Sequence, residues 1–284
     1  MGDFGERFRE GESAVKFLLL VVLIATLEAV PSAAADRSLD LTGSGVTKQF
    51  RTTDLLARSD AATITVPHDV AYGRVMTYRA VPLRNLLAEL PPDTADTIEA
   101  RATDGFVSQL PRALIAGPAV PWIAVEDPAH SWPPLPGKAR SAGPFYLVWE
   151  NPEAAGISSE QWPYALAALT EVASPVRRWP AIAVAASLPA DAAARRGQAV
   201  FIVNCLPCHR LAGNGEGSIG PDILKPMPAT TYLTDAGLRA LIRNPAAVRH
   251  WPAQRMPGFA PTAIPDSDVE AVIAYLHQLA EQSK

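Results

Sequence analysis

Cys205 and Cys208 are the only cysteines in the chain, and His209 follows the second of them directly. A Cys-x-x-Cys pair supports three chemistries: a redox dithiol, half of a zinc site, or covalent attachment of a haem. The dithiol needs a strand-helix unit around the pair, and zinc needs a second Cys-x-x-Cys to complete four ligands. The sequence offers neither. The adjacent histidine selects the third chemistry, because two thiols about one helical turn apart can add to the two vinyl groups of a haem and the next residue then faces the iron. Cys205 and Cys208 are therefore expected to hold one covalent haem c. His209 is expected to bind the iron through Nε2 while its other nitrogen donates to a carbonyl that fixes the ring.

The segments that must position this pentapeptide are patterned as helices. From Asp191 to Asn204, Gly197 and Phe201 fall at steps of four before Cys205, so all three share one helix face. Gly213 to Pro221 is a glycine-rich loop ending in Gly-Pro. Thr234 to Arg243 reads as a short helix, with Thr234 as its N-cap, Leu238, Leu241 and Ile242 as its apolar residues and Pro245 as its stop. From Ser267 to Gln282, Val269, Val272, Ile273, Leu276 and Leu279 form one stripe, and Ser267 and Glu270 have the spacing of a capping box. Between these two helices lies Arg255-Met256-Pro257-Gly258-Phe259.

In this order the features resemble a class I, mitochondrial-type cytochrome c domain spanning residues 191–284. The resemblance implies an all-α fold in which the Pro221 carbonyl accepts the His209 N–H and the Met256 thioether takes the sixth position on the iron. It also implies that the last helix crosses the first, bringing Tyr275 near Gly197 and Phe201. Met227, His250 and an open iron are the alternatives for the sixth position. Met227 follows the pentapeptide too soon, and His250 beside Trp251 reads as a surface or pocket-wall residue. Arg239, Arg243, Arg249 and Arg255 fall in the segment wrapping the methionine side, where they dock an acidic redox partner, neutralise the haem propionates or are simply solvated.

The region from Asp36 to Ala173 is proline-rich and mainly β. Ala62–Val66, Thr97–Ala102, Pro121–Val125, Phe145–Val148 and Leu166–Val172 read as strands, the last being equally compatible with a helix, and Leu83–Leu90 as a short helix. Three stretches here resemble the sulfite-oxidase-like molybdopterin-binding fold. They are Phe50 to Leu56 followed by Thr63 to Val66; Tyr78 to Leu87, with its Tyr-x-x-Val-Pro-Leu start; and Ala102 to Phe106 with Gly143 to Val148. That family binds molybdenum through a cysteine thiolate placed shortly before the Tyr78 segment. Here the stretch is Thr65-Val66-Pro67-His68-Asp69, and a soft thiolate is not replaceable by proline or imidazole. Molybdopterin is not expected, and the domain reads as a scaffold for a partner or an unknown small ligand. His68, Asp69 and His130 would be an incomplete metal set even if brought together. Trp122, Trp132, Trp149 and Trp162 read as core or turn packing. Residues 174–190, with Pro175, Arg177, Arg178, Pro180 and Pro189, read as a linker.

Residues 1–35 read as a signal peptide, with an apolar run from Phe17 to Val30 and small residues at Ser32 to Ala35. The run is too short to span a membrane and contains Glu28. Asp3, Glu6, Glu10 and Glu12 make an acidic leader unlike a basic n-region, which points to an alternative start near Val15. The chain of 284 residues carries a formal charge of −4 and has no run of like charges, which excludes nucleic acid and a polybasic membrane contact. Redox proteins are the expected partners. The expectation is an exported, periplasmic, mono-haem c-type cytochrome that transfers single electrons, as a carrier or as the haem subunit of an oxidoreductase system, rather than an enzyme itself. Two alternatives stand beside it: a molybdopterin-dependent dehydrogenase with an internal haem, and a haem-based ligand sensor.

Overall fold

The computed structural model describes residues 37–282. The expected signal peptide and the alternative start lie outside the described residues. Among the described residues, no helix is long and apolar enough to cross a membrane.

The front of the chain builds two sheets. Strands β1 (Ser38–Gly43), β2 (Val46–Arg51), β5 (Thr97–Ala102), β6 (Val107–Pro111) and β9 (Leu166–Val172) form one, in the order β2-β1-β9-β5-β6. Strands β3 (Ala62–Val66), β4 (Met76–Pro82), β7 (Val120–Val125) and β8 (Phe145–Glu150) form the other, in the order β3-β4-β7-β8. Among the described residues, β1 with β9 is the only parallel strand pair. Short helices α1 (Thr52–Leu56), α2 (Leu83–Leu87) and α3 (Arg112–Ile115) follow β2, β4 and β6. Alternation sets the faces: Leu39 and Leu41 of β1 are buried while Asp40 and Thr42 lie towards the surface. The uninterrupted apolar run Phe145 to Trp149 is buried throughout, as a strand covered on both faces requires. One hydrophobic core joins both sheets.

All five sequence-predicted strands are strands. Leu166–Val172, ambiguous by composition, is held extended by pairing with β1 on one side and β5 on the other, so tertiary pairing overrides helix propensity. Four strands carried too weak a signal. In β1 and β2 the polar residues mask a hairpin whose Ser44 and Gly45 take φ of 49° and 73°, the turn favoured by right-handed strand twist. Strand β4 is hidden because Tyr78 to Pro82 reads as a helix start, whereas α2 begins only after Pro82.

Helix α4 (Pro175–Arg178) begins the stretch joining the sheets to the helical part, which contains α5 (Ala193–Asn204), α6 (Ala229–Tyr232), α7 (Asp235–Arg243), α8 (Pro245–Val248) and α9 (Asp266–Gln282). Gly197 lets α5 and α9 cross in contact: a Cβ there would overlap the Ala271 carbonyl oxygen and lie 2.9 Å from Tyr275 Cβ. Beside the crossing, the Phe201 and Tyr275 rings meet edge to face with centroids 5.7 Å apart. The joining stretch is partly core itself, for Ile182 and Val184 are buried against this crossing and Tyr275 Oη donates to the Ile182 carbonyl at 2.5 Å.

Thr234 caps α7, its Oγ1 accepting the Gly237 N–H at 3.1 Å. Thr234→Ala is expected to lower stability by about 1 kcal/mol, the usual value of an N-cap, as read from the midpoint shift in urea unfolding. The capping box expected at Ser267 does not form. The Asp268 and Val269 N–H groups bond to the Pro265 carbonyl, so Ser267 already lies inside the first turn of α9, and Glu270 is drawn away to the Arg239 guanidinium.

Where sheet meets helices lies a polar network. Glu99 of β5, 6% exposed, accepts from Arg101 and from Arg178 of α4, each at 2.7 Å. Arg178 also donates to Gln109 of β6 at 2.8 Å and stacks 4.3 Å from the centroid of the Trp179 ring. Arg101 reaches on to Glu216 of the glycine-rich loop at 3.4 Å.

Candidate haem-attachment site

The pentapeptide closes the C-terminal end of α5. Cys205 is the C-cap, its N–H donating to the Phe201 carbonyl at 2.8 Å, and one further turn follows in which the Cys208 and His209 N–H groups both bond to the Cys205 carbonyl. The turn sets Cys208 and His209 three and four residues after Cys205, on the same side of the chain. Both thiols are free. Burial, reinforced by the charge of Glu160, pushes each of them up to about 12. That is the opposite of a redox dithiol, whose attacking cysteine is held low. A zinc site has no support either: among the described residues, no group of three or more His, Cys, Asp and Glu side chains is placed to hold a metal ion.

His209 is locked from two sides. Its Nδ1–H donates to the Pro221 carbonyl at 2.7 Å, and a Cβ at Gly220 would lie 2.6 Å from that same Nδ1. Only glycine lets the loop pass so close to the ring. Gly217 does the same for the preceding backbone, where a Cβ would lie 2.5 Å from the Cys208 carbonyl carbon. The loop is tied down by Asp222, whose carboxylate accepts from the N–H groups of Ala212, Gly213, Leu224 and Lys225. Burial alone would raise Asp222, but these four donors hold it below the usual carboxylate range. Burial pulls His209 below the ordinary histidine range against a smaller opposing push from the Pro221 carbonyl, which favours the neutral, metal-binding imidazole. With Nδ1 committed to a carbonyl, Nε2 is the nitrogen left for a metal.

Met256 sits in a loop braced against the end of α7. The Phe259 N–H donates to the Ile242 carbonyl at 2.9 Å, and Arg243 donates to the Phe259 carbonyl at 2.8 Å. A Cβ at Gly258 would lie 2.5 Å from the Arg243 carbonyl oxygen, so this close approach again requires glycine. Met256 itself is half-buried against the core of α7 and α9. Of its rivals, Met227 is 45% exposed and His250 is exposed.

The four arginines of this segment have separate fates. Arg239 pairs with Glu270, Arg243 with Asp266 at 2.5 Å, Arg249 stacks on Trp251, and Arg255 borders a cleft. That cleft, of about 670 Å³, opens between the pentapeptide and the sheets. Cys208, Ile219, Arg255 and Pro257 line its helical side. The sheet side includes Glu160, Trp162 and Tyr164, so Trp162, expected as packing, is core and cleft wall at once.

The remaining sequence-predicted metal candidates are not brought together. His68 is exposed, and His130 is exposed and bonded to Asp127 at 2.9 Å. Asp69 is buried, accepting from the Ala71 and Tyr72 N–H groups and from the Tyr78 and Tyr146 hydroxyls. It shapes the loop that presents Val70 and Ala71 to the cleft. Glu160 escaped the sequence reading. Its one local signal is the Ser-x-x-Gln box, Ser158 to Gln161, that holds its turn.

Residues 194–280 match the family model for cytochrome c. The helical C-terminal part is therefore a cytochrome c domain, which implies haem c and an electron-transfer function, and it follows a sheet-rich front region. No curated protein matches the chain.

Proposed function

We propose that the protein is an exported, single-haem cytochrome that passes electrons one at a time to and from redox proteins in the periplasm, as a carrier or as the haem subunit of an oxidoreductase system. The observation that carries this reading is the His209 ring held between the Pro221 carbonyl and Gly220, immediately beside two free thiols on the same turn. When bound, haem c supplies an iron that alternates between the ferric and ferrous states. In this assignment Cys205 and Cys208 would hold the haem through thioethers, His209 Nε2 and the Met256 sulfur would bind its iron, and the Pro221 carbonyl fixes the imidazole. A thioether on the sixth position favours a comparatively high potential and leaves no open coordination site for a substrate. The front region is read as a sulfite-oxidase-like scaffold without molybdenum, since the chain has no cysteine outside the pentapeptide to ligate it.

The test is to mature the full chain in a host able to attach haem c. Expected are one iron per chain, haem that stays with the polypeptide on a denaturing gel, and a ferrous spectrum unchanged by carbon monoxide, with Met256→Ala opening the iron to that gas. Absence of covalent haem would overturn the assignment. Carbon monoxide binding to the unaltered protein would remove Met256 from the iron and favour a sensor, and stoichiometric molybdenum with pterin would make the front region an enzyme.

A further inference from the structure

We propose that Glu160, contributed by the sheet-rich front region, is a proton-accepting residue that couples the oxidation state of the haem to pH. The inference rests on the reading that Cys205 and Cys208 carry that haem.

The geometry is a carboxyl group set into the cleft onto which Cys208 opens. Its turn, Ser159–Gln161, packs against α5, the helix that ends in the pentapeptide. The turn is rigidly held: the Glu160 carbonyl accepts from the buried Ser108 hydroxyl at 2.8 Å, and the Ser158 N–H donates to Gln161 Oε1 at 3.0 Å.

Among the described residues, no cation is paired with it. The other charged and titratable groups on the cleft are Asp104 from the β5–β6 turn, Lys138 and Arg140 from the loop before β8, Tyr164 before β9, and Arg255 beside Met256. Arg140 is taken by Asp104 at 3.3 Å, and Lys138 donates to the Tyr164 hydroxyl. The carboxyl of Glu160 accepts one hydrogen bond, from the Ser159 hydroxyl at 3.3 Å. Burial is accordingly the main influence on it and lifts it to about 7, within reach of small changes in local charge.

The coupling has a definite sign. Reduction adds one electron and removes one unit of positive charge from the iron, so the neutral acid becomes more favourable nearby. One proton then passes from solvent to a Glu160 oxygen, and it returns to solvent on oxidation. In water-poor surroundings a unit charge change of this kind alters the proton affinity of a neighbouring carboxyl by about tenfold. For a one-electron couple, tenfold corresponds to about 59 mV. The midpoint potential therefore falls by about that amount as pH rises between the pKa values of the oxidised and reduced forms, and it is level outside that interval.

Redox titration of the full-length, haem-loaded protein between about pH 5 and pH 9, after covalent haem has been verified on a denaturing gel, tests this. The unaltered protein is expected to show the fall. Glu160→Gln is expected to hold the potential of the acid side throughout, and Glu160→Asp to keep a pH-dependent limb at a displaced position. Asp104→Asn, which alters the other acid on the cleft, is expected to keep the original profile. A Glu160→Gln protein with the original profile would assign the proton to another group, such as a haem propionate, and overturn the proposal, as would a level profile in the unaltered protein. A chain without covalent haem fails at the gel, and this is the failure of the haem assignment itself.

Discussion

Gly197→Ala is expected to destabilise the helical part by about 3 kcal/mol, the upper end of the range for overpacking. Most small-to-large changes are softened by side chains that swing aside. Here the added methyl would meet the Ala271 carbonyl, which is backbone locked in α9, and Tyr275 Cβ directly behind it. Relief requires α5 and α9 to move apart. That movement would open the edge-to-face contact of Phe201 with Tyr275 and lengthen the bond from Tyr275 to the Ile182 carbonyl. Because α5 ends in Cys205, the same displacement shifts the haem pentapeptide. Urea unfolding followed by far-ultraviolet circular dichroism should show the lower midpoint, and the yield of covalent haem should fall with it. A variant as stable as the parent would mean that the helices are held apart by something other than glycine.

Arg178→Ala should cost about 3 kcal/mol, by the separate route of stranding acceptors. The guanidinium gives Glu99 one of its two cationic partners and Gln109 its donor, at positions where both acceptors are buried. Removing one partner of a buried pair leaves a charge that water cannot reach, and this loss exceeds the net value of the intact pair. Arg101 remains on Glu99 and keeps the loss from being larger. Pairing Arg178→Met with Glu99→Gln should restore most of the stability, because the stranded charge is then gone. A double variant as unstable as the single one would show that packing of Arg178 on Trp179, rather than charge, dominates.

The parts of the site that could be read from the sequence are those built within a few turns of chain. The Cys-x-x-Cys-His spacing, the step of four from Gly197 to Phe201 and the Thr234 cap are local patterns, whereas the Pro221 carbonyl, one loop from the histidine it meets, was expected only from the family resemblance. Five strands were legible for the same reason. Glu160 was not, because nothing near it in the chain says that its turn lies against α5. The Glu99 network was equally hidden, since it joins β5, β6 and α4 through pairings that no single segment encodes. The Ser267 box shows the converse: the Ser-x-x-Glu spacing is present, but the helix starts before Ser267, and Arg239 on another helix pairs with Glu270.

Ile182 and Val184 give the stretch between sheets and helices a second role. By filling the groove beside Phe201 and Tyr275, they make the haem-bearing helices dependent on chain that precedes them. Cutting the polypeptide at Asp191 would remove that filling and expose an apolar furrow on the excised piece. A split that keeps the furrow filled therefore falls upstream of Ile182.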